Sequence, residues 1–204
     1  MEKVRKTRHH GVVTAIYVSL IITLVAMALL LLVEGNHMSL LQLCLLSLVF
    51  LAPRVVEWVF RVMLPQPLEA CAVVFIFAAC ILGEVYDFYL TYPLWDVVLH
   101  FESGFLFCAF ACALTEGKEQ TTFAFCYSVT ISTLWEFLEF LVDALFHTNM
   151  QKDAFWQGKS DIGLVDTMTD LMAGAFGALC FVLWLLYERK HNFRRAESLI
   201  PNKR

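Results

Sequence analysis

Charged residues are scarce in this chain. They make up 17% of its 204 residues, against 59% hydrophobic, where soluble domains carry roughly a quarter charged and about half apolar. That imbalance excludes an ordinary water-soluble globule and calls for a lipid solvent. Paired cysteine motifs are missing too. Cys44, Cys71, Cys80, Cys108, Cys112, Cys126 and Cys180 all fall inside apolar runs, and none forms a CxxC or a loop pair. A disulfide framework and a zinc finger are therefore excluded, leaving small packing residues. No small-x-small cleavage site follows the first apolar run, so it reads as a retained helix rather than a signal peptide. There is no internal repeat, low-complexity segment or soluble domain.

What is there is apolar and long. Hydrophobic stretches recur at Val12–Val33, Met38–Ala52, Leu68–Tyr86, Asp96–Leu114, Thr121–Phe146 and Asp166–Tyr187. The first has 22 residues, enough to cross a bilayer core of roughly 30 Å at about 1.5 Å per residue. The second is the shortest. Beyond its Pro53, Arg54, Glu57 and Arg61 share one helical face, and Val55, Val59, Phe60 and Met63 the other. That stretch is either the inner end of helix two or an interfacial segment. The expectation is an all-α, polytopic membrane bundle of about six transmembrane helices. It forms a single integral membrane domain over 1–204, with helices near 12–33, 38–60, 68–86, 96–114, 121–146 and 166–188.

Basic residues assign an orientation. Thirteen of the 15 Lys and Arg fall at the N-terminus, after helices two and four, and after helix six; only Lys152 and Lys159 fall on the other side. The positive-inside rule then puts both termini in the cytoplasm.

With that topology the acids can be placed by depth. Asp96 and His100 begin helix four, one turn apart. Glu136, Glu139, Asp143 and His147 fall within roughly an 80° arc of helix five. Asp166 and Asp170 open helix six, and Glu84 and Asp87 end helix three. All lie at one level, the outer-leaflet ends of the last four helices. Asp96 and Asp166 are positioned to cap helix N-termini, and Glu84, Asp87 and His147 fall at the rim. Glu136, Glu139 and Asp170 fit neither description, and intramembrane acids usually face a bundle interior or a wet cavity.

Two carboxylates about 6 Å apart repel by roughly 3 kcal/mol at an effective dielectric near 20. No Lys or Arg sits within the helices at this level. Some acids must then be protonated, the histidines charged, or a divalent metal bound, its identity open among Mg²⁺, Mn²⁺, Ca²⁺ and Zn²⁺. On helix six, Asp166, Asp170, Ala173 and Gly177 form one stripe with Gly174 beside it, a surface that admits a close neighbour.

Three segments carry a resemblance: WDVVLHFESGF, LWEFLEF and DTMTDLMAGAFGAL. Their order and spacing resemble the YjdF family of bacterial inner-membrane proteins. More distantly they are similar to VanZ-like proteins, which commonly carry a basic residue where this chain has Val97 and Asn where it has Asp170. The resemblance implies a compact helical bundle in a bacterial inner membrane, associated with envelope stress or with cell-surface lipid and glycan metabolism. It brings no established reaction.

The functional expectation is a metal-assisted hydrolase or transferase acting on a lipid or polyprenyl-phosphate head group at the outer leaflet. His100, Asp96 and Glu136 form its expected catalytic set, and Glu139, Asp143, Asp166 and Asp170 its metal set. A small transporter or proton-coupled carrier, and a non-catalytic accessory membrane protein, are the alternatives. The lipid bilayer is the expected partner, and no nucleic acid is.

Overall fold

The computed structural model describes residues 11–151 and 162–203. The basic cluster Lys3, Arg5, Lys6 and Arg8, the loop lysines Lys152 and Lys159, and Arg204 lie outside the described residues.

Helix α1 (Gly11–Val33) presents Ile21, Ile22, Val25, Leu29 and Leu30 on its open face. Helix α2 (His37–Ser47) is capped by Asn36, whose side chain accepts from Ser39 N. A 3₁₀ turn (Leu48–Leu51) leads from it into α3 (Ala52–Phe60). Pro53 enters at the first turn of α3, where its missing N–H costs least. The stretch His37–Phe60 thus runs as one helical segment long and apolar enough to cross a membrane, with Arg54 and Glu57 towards its end. It stops where Arg61 turns left-handed.

Helix α4 (Gln66–Ile76) starts after Pro65, with Pro67 in its first turn, and widens into a π-helical segment, Phe77–Val85. A short α5 (Phe88–Thr91) follows. The remaining helices are α6 (Trp95–Ala111), α7 (Gln120–Phe146) and α8 (Ile162–Lys190). Asp166 accordingly lies inside α8, past its first turn, and does not cap it. Asp96 does fall in the first turn of α6.

Val13–Val33, His37–Phe60, Gln66–Val85 and Gly163–Lys190 are long and apolar enough to cross a membrane. The chain is an all-α membrane helical bundle. Its only strand pair among the described residues joins β1 (Val62–Met63) to β2 (Asn202–Lys203) and ties the C-terminal tail back across one end. At that end Glu188 accepts from Ala196 N, and Arg189 donates to Gln120 Oε1 at 2.6 Å.

Two apolar clusters divide the bundle. One joins α1, α2 and α4 with the π segment, around Leu43, Val73 and Ile81. The other joins α6, α7 and α8, around Cys108, Ala124 and Phe181. Within the second, α6 and α8 come close because glycines face each other. A Cβ on Gly104 would overlap the Gly174 carbonyl, and one on Gly177 the Phe101 carbonyl. The small-residue stripe on helix six thus meets α6. Ser128 adds a tie from α7, donating to Gly104 O at 2.8 Å.

Candidate functional site

The site grows out of that three-helix contact. Asp96 and His100 share a face of α6 at one-turn spacing. With α8 drawn in by the glycines, Asp170 lands beside them, and α7 brings Glu136 to the other side of the imidazole. His100 Nε2 lies 3.5 Å from Asp96 Oδ1 and 4.0 Å from Asp170 Oδ2, and Nδ1 lies 3.6 Å from Glu136 Oε1. One histidine is therefore surrounded by carboxylates from three helices.

Burial is nearly complete. Relative exposure is 7% for His100, 2% for Glu136 and 1% for Asp170. Glu136 has the Thr167 hydroxyl beside it, and neither carboxylate oxygen of Asp170 has a hydrogen-bond partner among the described residues. An ionised carboxylate in that state is costly unless a cation or proton answers it. One ligand atom each from Asp96, His100 and Asp170 lie within 4.8 Å of one another. A triangle of that size accommodates a divalent ion at about 2.0–2.5 Å from each. With Nε2 turned toward such an ion, Nδ1–H would point at Glu136. That is the outer-shell arrangement by which carboxylates fix the tautomer and orientation of a metal-ligating histidine.

The other expected residues divide. Glu139, one turn beyond Glu136, accepts from Trp135 Nε1 at 2.8 Å and lines the cavity beside His100. Asp166 is buried one turn from Asp170 and within its electrostatic reach, as is Glu139. Asp143 does not join them. Its Oδ1 accepts from the Thr148 hydroxyl (2.6 Å) and Met150 N (2.7 Å), and its Oδ2 from Gln151 N (2.9 Å). It thus folds the chain back after α7. His147 is exposed and closes that helix in the left-handed conformation.

A cavity of about 450 Å³ opens beside the carboxylates. Glu84, Tyr89, Asp96, His100 and Glu139 form its polar end, and among the described residues no Lys or Arg lines it. Glu84, expected only at the rim, therefore reaches the cavity mouth. The Tyr89 ring rests on Gly83, where a Cβ would overlap it. The left-handed turn at Asp87 brings it there. Burial raises its phenol well above the ordinary range, and the Asp96 and Glu84 carboxylates add to this, so it stays a neutral donor facing the acids. The glycine two turns before an aromatic-rich loop was the available signal. Glu102 is a further acid of α6, half-buried toward Cys71 of α4 rather than in the cluster.

No solved structure matches the chain. An uncharacterized protein of Thermotoga maritima is 26% identical over 152 residues, covering 70% of this chain and 73% of that protein. The family model described as "Predicted membrane protein (DUF2238)" matches residues 16–191, and the chain belongs to that family.

Proposed function

We propose that this protein is a metal-assisted hydrolase or transferase acting on the head group of a membrane lipid or polyprenyl phosphate. The observation that carries the reading is the Asp96–His100–Asp170 triangle, buried at the seam of three helices, with the enclosed Asp170 carboxylate in it and Glu136 on the other side of the imidazole. Asp96, His100 and Asp170 hold the ion in this account, and Glu136 orients His100 from behind. A bound divalent cation supplies Lewis acidity and offsets the charge of a phosphate, which the acids at the polar end would otherwise repel. Glu139 and Tyr89 face the same space and are placed to hydrogen-bond the head group. Asp166 reinforces the negative potential that selects a cation.

All six long helices span the bilayer in this proposal, including α6 and α7, whose acids face the bundle interior. Both termini are cytoplasmic by the distribution of Lys and Arg, so the site serves the outer leaflet of a bacterial inner membrane. The likeness to YjdF proteins in WDVVLHFESGF, LWEFLEF and DTMTDLMAGAFGAL agrees with that setting. A proton-coupled carrier draws less support, because the space leading away from the acids is apolar. A purely structural role leaves the buried carboxylate oxygens unexplained, since interhelical hydrogen bonds contribute only about 0.6 kcal/mol each on average.

The test combines metal analysis of the purified protein with lipid profiles of cells carrying His100→Ala or Glu136→Gln. Bound divalent metal in the wild type and an accumulated lipid precursor in the variants are expected. Metal-free protein together with unchanged profiles would remove the proposal.

A further inference from the structure

The acid-lined cavity does not end at the acids. Below its polar end the walls turn apolar, with Phe75, Leu99, Ile131 and Leu134 among them. A second cavity of about 330 Å³ continues from it and shares Phe75, Ile76, Ser103 and Phe107 as common wall. This lower space is bounded by Pro53, Val56, Leu64 and Leu68 on one side and Leu106 and Phe110 on the other. Together the two form a trough along the seam between the bundle's two apolar clusters. On α6 it runs from Asp96 to Phe110, 14 residues or about 21 Å at 1.5 Å per residue.

The trough is open sideways. Phe107 is 37% exposed although its neighbours Cys108, Ala109 and Ala111 are fully enclosed. Val49 and Leu134, which line the same space, are exposed as well. Within a bilayer such an opening faces lipid chains.

We infer that this trough holds the hydrocarbon chain of a phosphate-bearing membrane lipid, with the head group seated at the Asp96–His100–Asp170 end. The head-group half rests on the metal reading above; the chain half does not. Polarity decides the occupant. It falls in one direction along the seam, from five polar side chains at one end to a lower cavity whose only polar side chains among the described residues are Ser103 and Tyr127. A peptide laid there would leave its backbone groups without hydrogen bonds, at a cost of several kcal/mol each. A small solute would gain nothing from the lower half. An amphiphile with one polar end and a long apolar tail meets walls of matching character throughout, and it enters from the bilayer without crossing water.

The experiment uses the full chain in phosphatidylglycerol nanodiscs containing phosphatidic acid with a diazirine at the end of one acyl chain. Photolabelled positions are mapped by mass spectrometry, with and without Mn²⁺, whose binding is measured on the same sample. Labels concentrated around Phe107 and Leu106, and competed by unlabelled phosphatidic acid, are expected. Ala72→Phe and Leu106→Trp fill the lower trough away from the acids, so each should abolish that labelling while Mn²⁺ binding persists. Leu183→Trp, on the open face of α8, should leave it unchanged. Either filling variant suffices if the other fails to fold. Labels spread evenly over lipid-facing positions such as Leu183, insensitive to both filling variants, would overturn the inference. Trough labelling without any Mn²⁺ binding would uphold the chain site and remove the metal reading instead.

Discussion

Nδ1 of His100 on α6 faces Oε1 of Glu136 on α7 at 3.6 Å. That contact turns the opposite edge of the imidazole toward Asp96 and Asp170, so the orientation of one ring is set by acids on three helices. In an apolar bundle this arrangement is stable only with protons or a cation to balance it.

Replacing Glu136 by Gln removes the charge behind His100 and keeps the shape. Outer-shell partners of metal-ligating histidines contribute about 10–100-fold to metal affinity. Glu136→Gln should therefore weaken divalent-ion binding by about that factor without abolishing it. A competition titration against a metal indicator measures the change.

Asp143 should behave differently. It ties Thr148, Met150 and Gln151 after α7 and stands apart from the Asp96–His100–Asp170 group. Asp143→Ala is expected to cost about 1–3 kcal/mol of stability from the lost charge-assisted hydrogen bonds. Metal affinity should stay at the wild-type value. Thermal unfolding in detergent, paired with the same titration, separates the two effects.

The glycines that join α6 to α8 set the distance on which the site depends. An alanine Cβ at Gly104 would overlap the Gly174 carbonyl, a backbone group that cannot rotate away. Gly104→Ala and Gly177→Ala should each destabilise by about 1–3 kcal/mol through overpacking, and both should weaken metal binding by moving Asp170 from His100. Gly11→Ala, with nothing within 4 Å, serves as the neutral control in the same melts.

A second buried charge group lies near the far end of the bundle. Arg54 reaches Glu57 at 2.9 Å and the fully enclosed Glu69 at 2.7 Å. Glu57 also accepts from Leu64 N at 2.9 Å. Breaking a buried pair by removing one partner costs roughly 3–5 kcal/mol. Because the Arg54 side chain is 45% exposed, the lower end of that range is expected for Arg54→Ala. Arg54→Lys should recover only part of it, since an ammonium lacks the planar fork that reaches both acids. Chemical or thermal denaturation of the three proteins gives the comparison.

Hydropathy alone makes the all-α membrane bundle legible, because its long apolar runs need helices to satisfy their backbone in lipid. Asp96 and His100 could be paired from spacing alone, because both stand on one helix. The approach of Glu136 and Asp170 to the same imidazole could not, since it depends on which faces of α6, α7 and α8 meet. The Gly174 and Gly177 stripe hinted at close packing without naming α6 as its partner. Asp143 looked like a site residue because it continues the Glu136–Glu139 arc. The turn that captures it is made by the Thr148 hydroxyl and two backbone N–H groups, which leave no periodic trace. Gly83 is the one local sign of a seat for the Tyr89 ring, and the widened π segment that completes the seat leaves none. The trough is invisible to periodicity for a related reason: it is formed by two helix groups failing to close on each other.

The central claim is a divalent-metal centre at Asp96, His100 and Asp170. Its most direct test is Mn²⁺ binding to the purified full-length protein, followed by electron paramagnetic resonance, for wild type, Asp170→Asn and His100→Ala. The account predicts a single saturable site in the wild type, lost in both variants, with helical content and unfolding temperature retained in Asp170→Asn. Wild-type protein that leaves all Mn²⁺ free, or Asp170→Asn and His100→Ala variants that bind it as tightly as wild type, would contradict it.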